Sequence, residues 1–217
     1  MPEYDEQRRM DLAVAKIIDD ESWDDDYYIL DPVNEKSGVT IGPGFDAGQH
    51  SRKDLERMGV DKTIIDKMDP LFGVKNRDGE EAVARAMELA IPLTVDEVES
   101  LGQTVLRDKV GKFFRDFGSS AATVPEELTS ELASAYYRGH FVPKHKTWEL
   151  VKQRRYKDAA VEILDHDEYN RLKEVSPGSG VVSRMERTRD ALLRQVPAKE
   201  EYRGGGLIRD AYGRTLF

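Results

Sequence analysis

Asp20-Glu21, and further on Gly38-Val39-Thr40-Ile41-Gly42-Pro43-Gly44-Phe45-Asp46-Ala47-Gly48-Gln49, are the residues on which the reading of this chain turns. Met10, Val14 and Ile17 are spaced four and three apart, which is one face of a helix. Glu21 is the next position on that face, so the spacing predicts a helix from Asp5 to Ser22 that carries a carboxylate at its end. A carboxylate closing an apolar stripe is partly desolvated, and desolvation favours the protonated form that a general acid requires. Downstream, Tyr27 to Leu30 is a short β-prone run stopped by Asp31-Pro32. Asn34 to Gly38 reads as a turn, and Val39 to Ile41 as a returning strand. Gly42, Pro43 and Gly44 form a tight bend whose glycines leave room for a ligand. Thr40 and Asp46 stand on either side of it. A helix-end acid facing a hairpin with a hydroxyl and a second carboxylate is the set of groups that hydrolysis of a glycosidic bond needs.

These residues resemble those of a known family. The Glu at a helix end, the hairpin Thr40-Ile41-Gly42-Pro43-Gly44 and Asp46 six residues after the Thr are similar to the phage-type lysozyme superfamily. Within it they resemble the branch of pesticin-like muramidases and phage endolysins, in which an aromatic and then Asp follow the last Gly. Other phage lysozymes carry His at the position of Phe45 and place the catalytic Asp between the Glu and the Thr. Asp46 is therefore the first candidate for the base, with Asp31 or one of Asp24 to Asp26 as the alternative. Gln153-Arg-Arg-Tyr156-Lys-Asp-Ala159-Ala160 resembles a family helix, and Arg184-Met-Glu-Arg187 stands where the family carries two arginines three apart. The resemblance implies that Arg184 contacts Glu21 and that Arg187 contacts Asp20. It implies an α+β, mostly α-helical fold, with a small β-hairpin lobe (about 23–70), a larger helical lobe (80–196 plus the N-terminal helix) and the cleft between them. One lysozyme-like domain over 1–196 is expected, followed by a tail over 197–217.

Composition bounds the alternatives. The 217 residues contain no cysteine, which excludes a disulfide framework and a thiol nucleophile. His50, His140, His145 and His166 fall in no metal-ligand spacing, so neither a metal nor another cofactor is expected. No apolar run approaches the roughly 18 residues of a membrane span, and the charged start lacks a secretory signal. An enzyme of the cell wall made this way needs a phage pore, a virion or an injection device to reach its substrate. A net charge of −9 argues against nucleic acid as a partner. It also disfavours long-range attraction to an anionic wall, although Lys144 to Lys157 holds six basic residues against Glu149 alone.

Elsewhere the pattern is helical. Ser51 with Asp54 and Thr94 with Glu97 are capping boxes, Asp61 caps a further helix, and Glu80 to Ala90 is followed by Ile91-Pro92. The helix from Thr94 to Gly118 places Phe113, Phe114 and Phe117 in a core. Pro125 opens a helix ending Tyr137-Arg138-Gly139-His140, and three more stretches lead to a last helix over Val181–Gln195. Gln49 and Tyr137 are candidate sugar contacts beside Asp31; for Tyr137, simple packing at a helix end is an equal alternative. The reading is a monomeric muramidase acting on peptidoglycan glycan strands between N-acetylmuramic acid and N-acetylglucosamine, with inversion: Glu21 as acid, Asp46 and Thr40 holding the water. Two rivals are a lytic transglycosylase, and a non-catalytic virion or interaction protein to which the tail supplies a contact.

Overall fold

A computed structural model describes residues 5–21, 27–29, 34–42 and 44–197. Trp23, Asp24 to Asp26, Asp31 and the tail beyond Pro197 lie outside the described residues. The chain divides into two compact units, Met1–Gly139 and His140–Phe217.

The first unit begins with α1 (Glu6–Asp20), capped by the Asp5 carboxylate on the Arg8 amide. Its stripe buries Ala13, Val14 and Ile17, and it packs against α7 (Glu126–Tyr137) and α5 (Val95–Phe117). Near its start, the Arg9 guanidinium spans to α7, donating to the carbonyls of Ala121 and Val124 and to the Thr129 hydroxyl.

Three short strands follow, β1 (Tyr28–Ile29), β2 (Val39–Ile41) and β3 (Phe45–Asp46), in an antiparallel sheet ordered β1-β2-β3. The sequence pattern indicates the first two; the third follows the bend and exists through its pairing with Thr40 and Ile41. Gly42 and Gly44 make that turn possible, with φ of 57° and 84°. The left-handed region is open to glycine at little cost.

Two seven-residue helices, α2 (Arg52–Met58) and α3 (Lys62–Met68), start at the expected caps Ser51 and Asp61. Ser51 and Asp54 form the reciprocal capping box, and Gly59 ends α2 in the left-handed conformation. Next come α4 (Glu80–Leu89) and the 23-residue α5, opened by the Thr94–Glu97 capping box. Ile41, Leu55, Ile65, Met68, Leu71 and Leu101 belong to one buried cluster joining the sheet, the short helices and the first half of α5. Further along α5, Phe113, Phe114 and Phe117 are all buried, with Phe113 5.3 Å from each of the other two rings. Burying one such ring contributes about 1.5–3 kcal/mol, enough to hold a helix of this length with Gly102 and Gly111 inside it. A four-residue helix, α6 (Ser120–Thr123), leads into α7.

The second unit holds α8 (Lys146–Lys152), α9 (Tyr156–Glu162), α10 (Asp167–Val175) and α11 (Gly180–Leu193). α9 packs on α8 and α11, and α10 on α11. Phe141 lies 4.7 Å from Trp148, ring to ring, and Tyr169, Val182 and Met185 form a small second cluster. No described helix is long and apolar enough to cross a membrane. The α+β, mostly helical architecture is the expected one.

Candidate active site

Glu21 sits where α1 stops. It is the C-cap residue, its amide donating to the Ile17 carbonyl at 3.0 Å, so the backbone turns outward at the residue that carries the carboxylate. Its side chain is 16% exposed and forms an ion pair with Arg138, itself 18% exposed. Arg138 is the C-cap of α7. The packing of α1 on α7 thus delivers an acid and a guanidinium to one place from two helix ends. Asp20 fastens the same corner: its oxygens take a bond from Ser134 Oγ on α7 at 2.7 Å and an ion pair with Lys16 at 2.5 Å.

Within the first unit Arg138 contacts Glu21, and Lys16 and Ser134 contact Asp20. Arg184 and Arg187, the partners that the family resemblance implies for Glu21 and Asp20, stand on α11 of the second unit. The Arg138 contact, which the sequence reading did not include, has a local cause: α1 and α7 are direct neighbours, and an arginine one residue past Tyr137 faces the end of α1. The sequence did carry a signal, an Arg before the helix-stopping Gly139, but it lay in a helix terminus read for its tyrosine alone.

The hairpin supplies the opposite groups. Tyr28 pairs with Thr40 across β1-β2, and Thr40 with Asp46 across β2-β3. Directly opposed residues of an antiparallel sheet point to the same face, so these three side chains form one row. Thr40 is 1% exposed, and its hydroxyl oxygen is buried with no hydrogen-bond partner among the described residues. Leaving a buried hydroxyl unsatisfied costs about 1–3 kcal/mol, which marks the position for a ligand or a water.

Asp46 is arranged quite differently. Oδ2 accepts from Ser37 Oγ at 2.9 Å, and Oδ1 accepts from the backbone amides of Gly38 at 3.1 Å and Gly48 at 2.9 Å. A carboxylate offers about four lone-pair sites, and three here are committed to the hairpin itself. Sequence reading saw a base in Asp46 and did not foresee this bracing role. His50 supports the same loop, with Nδ1 against the Asp46 carbonyl at 2.8 Å and its ring 4.7 Å from Phe45. The Gln49 amide donates to the Lys36 carbonyl and is exposed, so its hydrogen-bonding capacity is partly spent within the hairpin.

Tyr137 links the two sides. A methyl group at Gly44 would lie 3.5 Å from the Tyr137 hydroxyl, so ring and hairpin bend are in near contact. Burial, and then the neighbouring Tyr28, push the Tyr137 phenol up to about 12, so it is a neutral donor at any physiological pH. Lys109 of α5 places Nζ 4.9 Å from the centre of the Tyr137 ring. Glu21, Arg138, Tyr137, Gly44 and the Thr40 row are therefore a connected set, all within the first unit.

Among the described residues no group of three or more His, Cys, Asp or Glu is arranged to hold a metal. The second unit has a separate concavity of about 240 Å³ lined by His140, Lys144, His145, Glu162 and His166, among others.

Over residues 17–157 the chain matches the sequence profile of a family described as pesticin, a bacterial toxin homologue of phage lysozyme, C-terminal part. No curated protein matches it. The matched segment contains Glu21, Thr40, Asp46, Tyr137 and Arg138, and it ends before Arg184 and Arg187.

Proposed function

Since the chain belongs to the pesticin family of phage-lysozyme homologues, we propose that it is a muramidase, hydrolysing the β-1,4 bond between N-acetylmuramic acid and N-acetylglucosamine in peptidoglycan. The observation that carries this reading is the pairing of a shielded carboxylate, Glu21 held by Arg138, with a buried, unpartnered hydroxyl on the facing hairpin, Thr40. An unsatisfied buried hydroxyl costs stability until a ligand or a water hydrogen-bonds to it, and hydrolysis needs such a water together with an acid such as Glu21.

In the proposed reaction Glu21 in its protonated form gives its proton to the glycosidic oxygen, the bond to the leaving sugar breaks, and water attacks the anomeric carbon from the opposite face with inversion while a carboxylate base takes the water's proton. Thr40 Oγ1 grips that water. Arg138 fixes the Glu21 rotamer, and Arg184 and Arg187 are the further positioning arginines that the family resemblance implies. Three of the lone-pair sites of Asp46 are spent on Ser37, Gly38 and Gly48, which favours as the base one of the alternatives, Asp31 or one of Asp24 to Asp26, with Asp31 tested first. Asp46 then acts as a positioning residue for Thr40, directly across the β2-β3 pair.

The test is release of reducing ends from purified sacculi, with products read by mass spectrometry. Hydrolysis adds one water per cut, whereas a transglycosylase leaves 1,6-anhydro ends. Glu21→Gln should remove activity and leave the fold intact. A Glu21→Gln protein that still clears sacculi sinks the assignment.

A further inference from the structure

Lys109 is a charged group beside the site that the proposed reaction does not use. It projects from the middle of α5, is half-buried, and lies with Nζ over the Tyr137 ring at 4.9 Å. It makes no hydrogen bond and no ion pair among the described residues. Asp46 and Asp108 act on it only through space, and burial outweighs them in holding its pKa below the usual lysine range. An ammonium has three donors, and an aromatic face satisfies none of them by a conventional hydrogen bond, though it attracts the charge.

Most other cations of the first unit have found carboxylates. Lys67 binds Glu97 at 2.7 Å, Lys112 binds Asp116 at 2.5 Å, and Arg138 binds Glu21. In a chain of net charge −9, a half-buried lysine left without a carboxylate beside the candidate catalytic groups is a poor structural choice. It becomes a good one if a ligand brings the anion.

Resting on the muramidase reading, we infer that Lys109 binds an anionic oxygen group of the wall polymer, placing it against Tyr137 beside the scissile bond. Lys109 is a specificity-determining residue in this scheme, since it selects glycan that carries charge over neutral glycan. Two sources in walls share this chemistry: carboxylates of the peptide stems and phosphates of attached polymers. The ring of Tyr137 forms the floor of the subsite and the three ammonium protons its polar contact. A charge-assisted hydrogen bond of this kind accounts for about tenfold in affinity.

The experiment measures binding to sacculi by co-sedimentation, in a Glu21→Gln background so that the polymer is not consumed. Three preparations are compared: native sacculi, sacculi with carboxyls amidated, and sacculi stripped of phosphate with hydrofluoric acid. Adding Lys109→Met should weaken binding to native sacculi about tenfold, and Lys109→Arg should restore most of it. The difference made by Lys109→Met should vanish on the amidated preparation if the partner is a carboxylate, and on the stripped one if it is a phosphate. An equal loss on all three preparations, or no loss on any, overturns the inference, as does failure of the parent protein to bind sacculi. Reducing-end release by the unmutated protein separates the two failures. An active enzyme whose Lys109→Met variant binds unchanged refutes only the subsite; an inactive one refutes the function beneath it.

Discussion

Replacing Asp46 distinguishes a catalytic base from a brace. In Asp46→Ala three donors lose their acceptor: the Ser37 hydroxyl and the amides of Gly38 and Gly48, at 2.9, 3.1 and 2.9 Å. All three residues are buried, and each stranded donor costs about 1–3 kcal/mol. The sum is about 3–9 kcal/mol, a large share of the 5–15 kcal/mol that typically holds a domain together. Asp46→Asn is much milder. Its Oδ1 can still accept from both amides, and its Nδ2 can donate to Ser37 Oγ once that hydroxyl rotates. What is lost is the assistance of charge, about 1 kcal/mol or a fall of roughly 2–4 °C in Tm for a protein of this size. Thermal melting and reducing-end release from sacculi should be measured on Asp46→Ala, Asp46→Asn and Asp31→Asn together. The expected pattern is a strongly destabilised Asp46→Ala, an Asp46→Asn that retains most activity at slightly lower Tm, and an Asp31→Asn that melts normally with activity down by about 10²–10⁴-fold. An Asp46→Asn protein with unchanged Tm and activity reduced more than a hundredfold would show that Asp46 is the base and that this assignment of its hydrogen bonds is mistaken.

Four further expectations follow from the same geometry. Arg138→Met frees the Glu21 rotamer and should lower turnover by about ten- to a hundredfold with the fold retained; unchanged turnover on sacculi would remove Arg138 from the site. Gly48→Ala places its methyl 2.5 Å from the Val74 carbonyl oxygen and 2.9 Å from Gly38 Cα, and overpacking against backbone should cost at least 1–3 kcal/mol; a native melting curve contradicts the close packing. The Glu97 carboxyl lies below its ordinary 4.5, first through the hydrogen bond from Lys67 and then through the Thr94 amide. Because the folded value is the lower one, its contribution to stability is present above about pH 4.5 and is lost as pH falls through the folded pKa; the Tm gap between Glu97→Gln and the unmutated protein should close between pH 6 and 3, and a constant gap refutes it. Burial holds Lys109 below 10.5, so binding to native sacculi should fade at a lower pH than an ordinary lysine would give, and Lys109→Arg should carry it to higher pH.

Much of this was legible in local pattern. The capping boxes at Ser51 and Thr94, the stop at Gly118 and the spacing of Met10, Val14 and Ile17 are signals that a helix terminus or face imposes on neighbouring residues. The structure returned elements within a residue or two of them. The hairpin and its third strand were half legible, because Phe45–Asp46 is too short for an alternating pattern and exists through its pairing with Thr40 and Ile41. The contact between Glu21 and Arg138 was not legible, since it joins residues 117 positions apart through helix packing that no local window contains. The bracing by Asp46 was hidden for another reason: Asx-type hydrogen bonds to Gly38 and Gly48 depend on the exact path of a turn.

The size of the sheet explains why so many bonds converge on one side chain. Three strands of two, three and two residues are well short of the five or six residues typical of a strand, and a hairpin that small is marginal by itself. Its rigidity has to come from elsewhere, and the hydrogen bonds show where. Asn76 N donates to the Ser37 carbonyl at 2.8 Å, Gly73 N to the Ala47 carbonyl at 3.3 Å, and Arg77 N to the Glu35 carbonyl at 3.2 Å. The loop after α3 is thus laced along the hairpin, and Gly38 and Gly48 lie so close under Val74 that neither position has room for a side chain. Asp46 ties the near edge of the same patch. A hydroxyl that must hold one water within a few tenths of an ångström of its working place needs such a frame, and Thr40, between Val39 and Ile41 at 0% exposure, sits at its centre. On this view the chemistry proposed for the hairpin is carried by Thr40, and the glycines and Asp46 around it serve to keep that one oxygen still.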